Sequence, residues 1–363
     1  MDALFSTSYA EARGKFVAAA QAAGLAVQAH QHPLVGRDGE TLSLDVVVDG
    51  PADAPRRLLI SSGCHGIEGY CGSAVQTMLL GDAALRAACR GVGVSVIHLH
   101  ALNPWGFSWW RRTTHENVDL NRNFHDFSQP LPDNPGYDEL AELLVPEQWP
   151  PSDDVKAALG SFIERHGIGA LQAAISSGQY CHPDGLFYGG QAPSWSNLAL
   201  RRILREVLPG ANRIGWIDVH TGLGPCGVGE RISAARDDPE TLARARRWWG
   251  PQVTSIVEGN SSSARLDGLM WQVIEQENFG AEYTGIALEF GTVPLMAVFD
   301  ALRADQWLQN HPDAPPATAA AIKQQIRAAF FVDTDEWKQA VLEQALQATM
   351  QAVAGLSADQ SAA

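Results

Sequence analysis

A histidine and a glutamate lie three residues apart, directly after an apolar run and within a stretch rich in glycine. The run is Leu58-Leu59-Ile60, and the pair is His65 and Glu68. Glycine lets the backbone turn sharply where a strand ends, so both side chains can point into the crevice at the carboxyl end of a sheet. Catalytic zinc commonly takes three protein ligands from histidine and acidic residues and keeps one position open. The sequence therefore predicts a zinc site that needs a third ligand from elsewhere.

Two later runs that resemble strands end in residues that could complete this site. The first ends at His220 and is followed by a glycine-rich loop, which repeats the pattern at His65 and makes His220 the predicted third ligand. The second contains Glu289 among apolar residues. An unpaired carboxylate there would be costly, so it has a partner or its charge is used. As a general base, Glu289 could take a proton from water and pass it to a leaving nitrogen.

A polar and aromatic segment covers residues 109–124, and its composition is typical of a functional loop. Arg111 and Arg122 in this segment could present guanidinium groups to a carboxylate or to a developing oxyanion. The alternative for either arginine alone is a salt bridge on the surface of a loop.

Other residues with metal-binding or nucleophilic chemistry fit structural roles better. The pairs His98-x-His100 and His30-x-His32 have ligand spacing, but neither comes with the acid and further histidines that a metal site needs. Cys64 and Cys71 flank the His65 segment and are predicted to be small core thiols, because a water activator is already at hand.

Strand-like and helix-like patterns alternate along the chain, which indicates an α/β fold. A helix is predicted after Ser8, which forms a capping box with Glu11. Strands are predicted at 42–48, 58–60, 92–100, 213–220 and 285–290, and further helices at 74–80, 155–165, 197–207 and 335–354. The proline-rich segment 129–151 is expected to cross the surface without marking a domain boundary.

Charge and composition exclude several classes of partner. The chain has 363 residues, 45% of them hydrophobic, and a net charge of −15, which argues against binding to nucleic acid or to an anionic membrane. It contains no apolar run of membrane-spanning length and no signal-peptide pattern at its start, so we expect a soluble cytoplasmic protein. The five cysteines are scattered and odd in number, which predicts reduced thiols.

Four motifs occur in an order that resembles the zinc carboxypeptidase (M14-like) superfamily, and more closely its DUF2817 branch. They lie at residues 65–68, 119–124, 218–220 and 288–290, so the resemblance spans about residues 58–295. The aspartoacylase and succinylglutamate desuccinylase branch shares similar motifs. The resemblance implies one catalytic domain over residues 1–363, with a mixed, mostly parallel sheet of about eight strands and helices on both faces.

The resemblance also implies a role for the residues of the metal site. His65, Glu68 and His220 match the ligands of a single zinc ion. Glu289 matches the carboxylate that acts first as base and then as acid.

The polar segment carries the remaining matches. Arg111 resembles the arginine that polarises the scissile carbonyl, while Asn121 and Arg122 match the pair that holds the free carboxylate of the substrate. Asp119 resembles the acceptor for the ring N–H of a zinc-bound histidine, a contact that fixes the tautomer.

The function implied is that of a metallocarboxypeptidase, which hydrolyses an amide bond next to a free carboxylate. An N-acyl amino acid deacylase is the alternative, and a metal-free binding protein on the same scaffold is the third. The lack of a clear C-terminal capping β-domain favours the first.

Two departures from the family pattern bear on the identity of the substrate. Gly66-Ile67 stands where digestive carboxypeptidases carry an arginine, and the mobile tyrosine of the family could be Tyr180, Tyr188 or Tyr283.

Overall fold

The apolar runs of the sequence form the strands of one seven-stranded sheet in the computed structural model, which describes residues 3–235 and 237–358. The strands are β1 (Gln28–Val35), β2 (Thr41–Asp49), β3 (Arg56–Ser62), β4 (Val94–His100), β5 (Arg213–Cys226), β6 (Gly229–Ser233) and β7 (Glu282–Gly291). Their order across the sheet is β1-β2-β4-β3-β5-β7-β6. The central strands β4, β3, β5 and β7 are parallel, and the outer pairings are antiparallel. The predicted mixed α/β sheet is confirmed, with seven strands rather than about eight among the described residues.

Thirteen α-helices accompany the sheet in the described part of the chain. They are α1 (Tyr9–Ala22), α2 (Gly69–Gly81), α3 (Ala83–Gly91), α4 (Pro104–Ser108), α5 (Pro135–Leu144), α6 (Asp153–His166), α7 (Ile168–Ser176), α8 (Trp195–Val207), α9 (Pro239–Trp249), α10 (Val273–Glu277), α11 (Leu295–Asn310), α12 (Pro316–Phe330) and α13 (Asp335–Ser357). Short 3₁₀ turns occupy Gly66–Glu68, Leu120–Arg122 and Met270–Gln272.

Helices pack on both faces of the sheet, as predicted. Neighbouring residues of β3 point in opposite directions, so Leu58 and Ile60 enter one apolar core and Leu59 enters another. The first core includes Ala74 of α2, and the second includes Leu200 of α8. Because both faces are covered, every residue of β4 and all but the first residue of β3 are buried.

Local capping chemistry explains where several helices begin. Ser8 Oγ accepts a hydrogen bond from the Glu11 amide at 3.2 Å, which confirms the predicted start of α1. The proline-rich segment 129–151 contains α5, which the prediction missed. Asn134 caps this helix by accepting from the Tyr137 amide at 3.0 Å, and Pro135 occupies its first position.

The described helices include none that is both long enough and apolar enough to cross a membrane. All five cysteines are unpaired, with Cys64, Cys71 and Cys89 buried and Cys181 and Cys226 exposed. The organisation of residues 1–363 as a single domain remains a prediction.

Candidate metal centre

The predicted zinc-binding stretch follows the carboxyl end of β3 in a tight turn. Gly63 has a φ of +65°, a left-handed conformation that glycine adopts without strain. Gly66 lies against the backbone of α4, where a Cβ atom would come within 2.0 Å of the Gly106 carbonyl carbon. The stretch then forms a 3₁₀ turn that leads into α2. This close packing directs both His65 and Glu68 inward, and both are buried.

The structure brings the three predicted metal ligands together. His65 Nδ1 lies 2.9 Å from one oxygen of Glu68, and His220 Nδ1 lies 2.9 Å from the other. All three residues are buried, and their ligand atoms lie within 4.8 Å of one another. Two imidazole nitrogens and a carboxylate in this arrangement form a donor set that suits a zinc-like cation.

A second carboxylate holds the far ring nitrogen of each histidine. His65 Nε2 lies 3.1 Å from Asp119 Oδ1, and His220 Nε2 lies 2.6 Å from Asp218 Oδ2. The other oxygen of Asp218 accepts from Ser61 Oγ at 2.6 Å. Such carboxylate contacts orient ligating histidines and leave the opposite nitrogen for a metal. The Asp119 contact was predicted for a zinc-bound histidine, whereas Asp218 was missed, although its place two residues before His220 puts both on one face of β5.

The charges within the cluster support one another. Burial opposes the charge on Glu68, but His65 and His220 outweigh it and lower the pKa of this carboxyl. Burial also raises the pKa of Asp119, yet Arg112 and His65 hold it well below its usual range. Both acids are therefore carboxylates at neutral pH, as metal ligation and histidine orientation require.

Glu289 lies beside the cluster on the neighbouring strand. It is the register partner of His220 in the parallel β5–β7 pairing. One of its oxygens accepts from the Leu223 amide at 3.0 Å, which fixes the carboxyl group at the edge of the cavity. Burial and the charge of Glu68 raise the pKa of Glu289 to about 8. A carboxyl group with this pKa can both accept and donate a proton near neutral pH.

The structure places Arg112, rather than the predicted Arg111, at the cluster. A terminal nitrogen of Arg112 lies 2.8 Å from His65 Nε2, and another lies 3.3 Å from Glu68. Its Nε donates to Asp119 at 2.9 Å. Arg112 also lines the cavity beside the cluster. Side chains in a loop do not alternate at a regular spacing, so the sequence could not show which of these adjacent arginines faces the cluster.

Arg111 points away from the cluster into a separate buried network. Its guanidinium donates to Asn117 at 3.0 Å and to Gln306 at 3.1 Å, and it lies 3.7 Å from Asp305. Burial lowers the pKa of Arg111, against the opposing charge of Asp305. This environment gives Arg111 a structural role in joining the polar segment to α11.

Asn121 and Arg122 both line the cavity, as their predicted role requires. Arg122 donates to the Ser176 carbonyl at 3.0 and 2.5 Å and to the Asn121 carbonyl at 2.7 Å. Among the described residues, no carboxylate lies within salt-bridge distance of this guanidinium. Burial lowers the pKa of Arg122, which marks a buried cation whose charge is poorly balanced. Asn121 Oδ1 is already engaged, because it accepts from the Met270 amide at 2.8 Å.

The cavity extends from the cluster between largely apolar walls. The residues that contribute its apolar surface include Leu171, Ile175, Phe187, Ile256, Leu269, Met270, Trp271, Ile286, Met296, Phe299 and Leu302. Of the three candidate tyrosines, only Tyr283 is among the lining residues. Tyr180 instead donates to the Arg122 carbonyl at 2.8 Å, which makes it a support for the polar segment.

The rival histidine and cysteine residues have surroundings that favour structural roles. Cys64, Asp218 and His220 also place their ligand atoms within 4.8 Å of one another, but both oxygens of Asp218 are already engaged, by His220 Nε2 and by Ser61 Oγ. His100 stacks on Phe16 at 4.3 Å and contacts Ser73 Oγ at 2.9 Å. Burial lowers the pKa of His98 to about 4. These histidines are neutral core residues.

Comparison with known proteins links the chain to one family. The sequence model of the family described as "Protein of unknown function (DUF2817)" matches residues 5–344. No curated protein matches the sequence.

Distant structural likenesses were found among solved proteins. A candidate metallopeptidase from Shewanella denitrificans aligns with 83% of this chain and 89% of its own, at 14% identity and a TM-score of 0.42. Thrombin activatable fibrinolysis inhibitor aligns with 90% of this chain and 75% of its own, at 13% identity and a TM-score of 0.45. An aspartoacylase family protein from Mesorhizobium loti aligns with 78% of this chain and 66% of its own, at 18% identity and a TM-score of 0.37.

Proposed function

The chain belongs to the DUF2817 family, and we propose that it is a zinc-dependent hydrolase that cleaves an amide bond beside a free carboxylate, as a carboxypeptidase does. One observation carries this proposal. The Nδ1 atoms of two histidines converge on the Glu68 carboxylate in a buried cluster, and Glu289 lies beside that cluster in the same cavity. This combination supplies three metal ligands and a general base.

His65, Glu68 and His220 would hold a single metal ion. Their fit to a metal rests on the buried donor set and on the carboxylates that orient both histidines. When bound, zinc supplies Lewis-acid chemistry that acidifies water and polarises a carbonyl oxygen.

Glu289 is the proposed general base and then the general acid. Its carboxyl group is oriented by the Leu223 amide and has a pKa raised to about 8 by burial and by Glu68. In this role it takes the proton from the attacking water and returns it to the leaving nitrogen, so one residue serves both halves of the reaction.

Arg112 takes over the role that the sequence assigned to Arg111. It is the guanidinium at the cluster and in the cavity, and its pKa is raised because Asp119 and Glu68 outweigh the effect of burial. A fixed positive charge at this position stabilises the oxyanion that develops on the scissile carbonyl.

Arg122 provides the proposed anchor for the substrate's carboxylate. It is a cavity-lining cation, and its hydrogen bonds to other described residues all go to backbone carbonyls. Terminal N–H groups of a guanidinium can accommodate a carboxylate in addition to such contacts. Asn121 lies beside it and supports the same end of the cavity. Anchoring the carboxylate would orient the neighbouring amide towards the cluster.

A panel of small substrates tests this function by mass spectrometry. It contains peptides with free C-termini, the same peptides with amidated C-termini, and N-acyl amino acids, each incubated with and without a zinc chelator. We expect chelator-sensitive removal of one C-terminal residue from the free-carboxylate peptides only. Cleavage confined to N-acyl amino acids would instead identify a deacylase, and no cleavage by metal-loaded protein would contradict the hydrolase proposal.

A further inference from the structure

Three side chains of β5 leave the sheet on the face that carries the metal cluster. Trp216, Asp218 and His220 alternate along this strand, so all three point to one side. Ser61, near the end of β3, is the register partner of Asp218 in the parallel β3–β5 pairing and shares that face. The strand that leads to His65 and the strand that carries His220 therefore meet at the pair formed by Ser61 and Asp218.

These side chains form a continuous line of hydrogen bonds that ends at His220. Trp216 Nε1 lies 2.7 Å from Ser61 Oγ, and Ser61 Oγ lies 2.6 Å from Asp218 Oδ1. The other oxygen of Asp218 lies 2.6 Å from His220 Nε2. Ser61 and Trp216 are at most 1% exposed, so bulk water does not compete for their contacts. We call Trp216, Ser61 and Asp218 the donor chain.

The number of hydrogens on each group fixes the direction of the donor chain. An indole nitrogen only donates, so Trp216 donates to Ser61 Oγ. The hydroxyl has a single hydrogen, and its remaining hydrogen bond within the described residues is to Asp218, so Ser61 donates to that carboxylate. A carboxylate only accepts, so the hydrogen between Asp218 and His220 belongs to His220 Nε2. The neutral imidazole then has its lone pair on Nδ1, the nitrogen that faces Glu68.

We propose that Ser61 and Trp216 are positioning residues of the metal centre, which set the tautomer and the orientation of His220 through Asp218. The inference rests on the metal site of the proposed function. The carboxyl group of an aspartate rotates over a broad range, and the bond from Ser61 restricts this rotation. Trp216 in turn orients the Ser61 hydroxyl. The indole ring packs in the second apolar core, so the donor chain begins at a rigid group.

Metal affinity tests this positioning role without relying on turnover. Ser61→Ala removes the middle of the donor chain, and we expect it to weaken zinc binding roughly tenfold in competition with a chromophoric chelator. Ser62→Ala is the matched control, because Ser62 is equally buried on the opposite face of β3 and donates to Gln76 at 2.7 Å. The control should lose stability but keep its zinc affinity. Trp216→Phe should weaken zinc binding less than Ser61→Ala, because Ser61 keeps its bond to Asp218.

A double variant separates positioning from a general loss of stability. In an Asp218→Asn background the donor chain is already broken at its last member, so adding Ser61→Ala should change zinc affinity by no more than about twofold. Independent structural effects would instead add, and a further tenfold loss in the double variant would overturn the inference. NMR of zinc-loaded protein labelled at the histidine nitrogens gives a second readout. The Nε2–H of His220 should be protected from exchange in Ser62→Ala but not in Ser61→Ala.

The possible outcomes distinguish this inference from the proposed function. Equal zinc affinities in Ser61→Ala and Ser62→Ala would overturn the inference and leave the proposed function standing. If Ser61→Ala does not fold, Trp216→Phe takes its place in the same comparison. Tight zinc binding without hydrolysis of any substrate would contradict the proposed function, and the affinities of the variants would still decide the inference. Failure of the folded, unaltered protein to bind zinc would overturn both.

Discussion

Glu289 lies directly opposite His220, because the two residues are register partners on the parallel strands β7 and β5. Their side chains therefore leave the sheet on the same face and at the same edge. A predicted metal ligand and the predicted base thus become neighbours, although 69 positions separate them in the sequence. The arrangement needs only correct strand pairing, which makes the two roles testable one at a time.

Glu289→Gln removes the proton acceptor and keeps the size of the side chain. We expect kcat to fall by roughly 10²–10⁴ because the general base is lost, while the bound metal and the melting temperature stay near those of the unaltered protein. Steady-state kinetics with metal analysis of the same samples measures both effects. A variant with normal turnover would exclude Glu289 as the base.

Arg112→Ala and Arg111→Ala should have different effects, although the residues are adjacent. Arg112→Ala removes the charge at the cluster, and a fall in kcat of about 10²–10³ is expected. Arg111→Ala should mainly lower stability, by about 2 kcal/mol, because it leaves Asn117 and Gln306 without their buried donor.

Denaturant unfolding and kinetics on both variants separate these effects. Arg112→Lys serves as a control that keeps the positive charge and should recover part of the turnover. If Arg111→Ala reduced turnover as strongly as Arg112→Ala while remaining fully folded, the assignment of the oxyanion arginine to Arg112 would be wrong.

Asp218→Asn should weaken metal binding without removing a ligand. Asp218 accepts at 2.6 Å from the far ring nitrogen of His220, and loss of such a contact typically lowers metal affinity about 10–100-fold. Competition with a chromophoric chelator measures the change. Asp153→Asn, at an almost fully exposed side chain, is the matched control and should bind metal normally. Equal affinities for the two variants would show that Asp218 does not support the site.

His98 and His100 should make the metal-free protein sensitive to acid. Burial lowers the pKa of His98 to about 4 and that of His100 to about 3, from an ordinary value of 6.5. Both are neutral in the folded protein at neutral pH. As the pH falls, they are protonated in the unfolded chain before they are protonated in the folded protein. Their contribution to the free energy of unfolding is therefore fully present above pH 6.5. It declines as the pH falls towards 4, by about 1.4 kcal/mol per pH unit for each histidine.

Urea unfolding of the chelator-treated protein at several pH values between 7 and 5 measures this slope. His98→Gln should reduce the slope by about 1.4 kcal/mol per pH unit, which is the contribution of one histidine. An unchanged slope in that variant would assign the acid sensitivity to other groups.

Sequence patterns were sufficient to place the residues whose positions are set by the ends of strands. His65, His220 and Glu289 all follow apolar runs that form central parallel strands, and parallel strands bring their carboxyl ends to one edge. Asp218 could have been found from its two-residue spacing to His220, which places both on one face. The predicted roles of these residues remain predictions until they are tested.

Loop geometry was beyond the reach of the sequence. Trp110 has a φ of +55°, a conformation that is rare for a bulky residue, and the amides of Gly66 and Ile67 donate to the carbonyls of Arg112 and Arg111. These contacts decide which arginine faces the cluster. The edge strands β1 and β6 were also missed, because edge positions lack the continuous apolar run of a central strand.

The most direct measurement is the metal content of the purified protein, determined by inductively coupled plasma mass spectrometry after zinc loading and removal of free ion. We predict one tightly bound zinc per chain, and loss of that zinc in His65→Ala and His220→Ala variants that remain folded. Failure of the folded, unaltered protein to retain zinc, or full retention in both variants, would contradict the account.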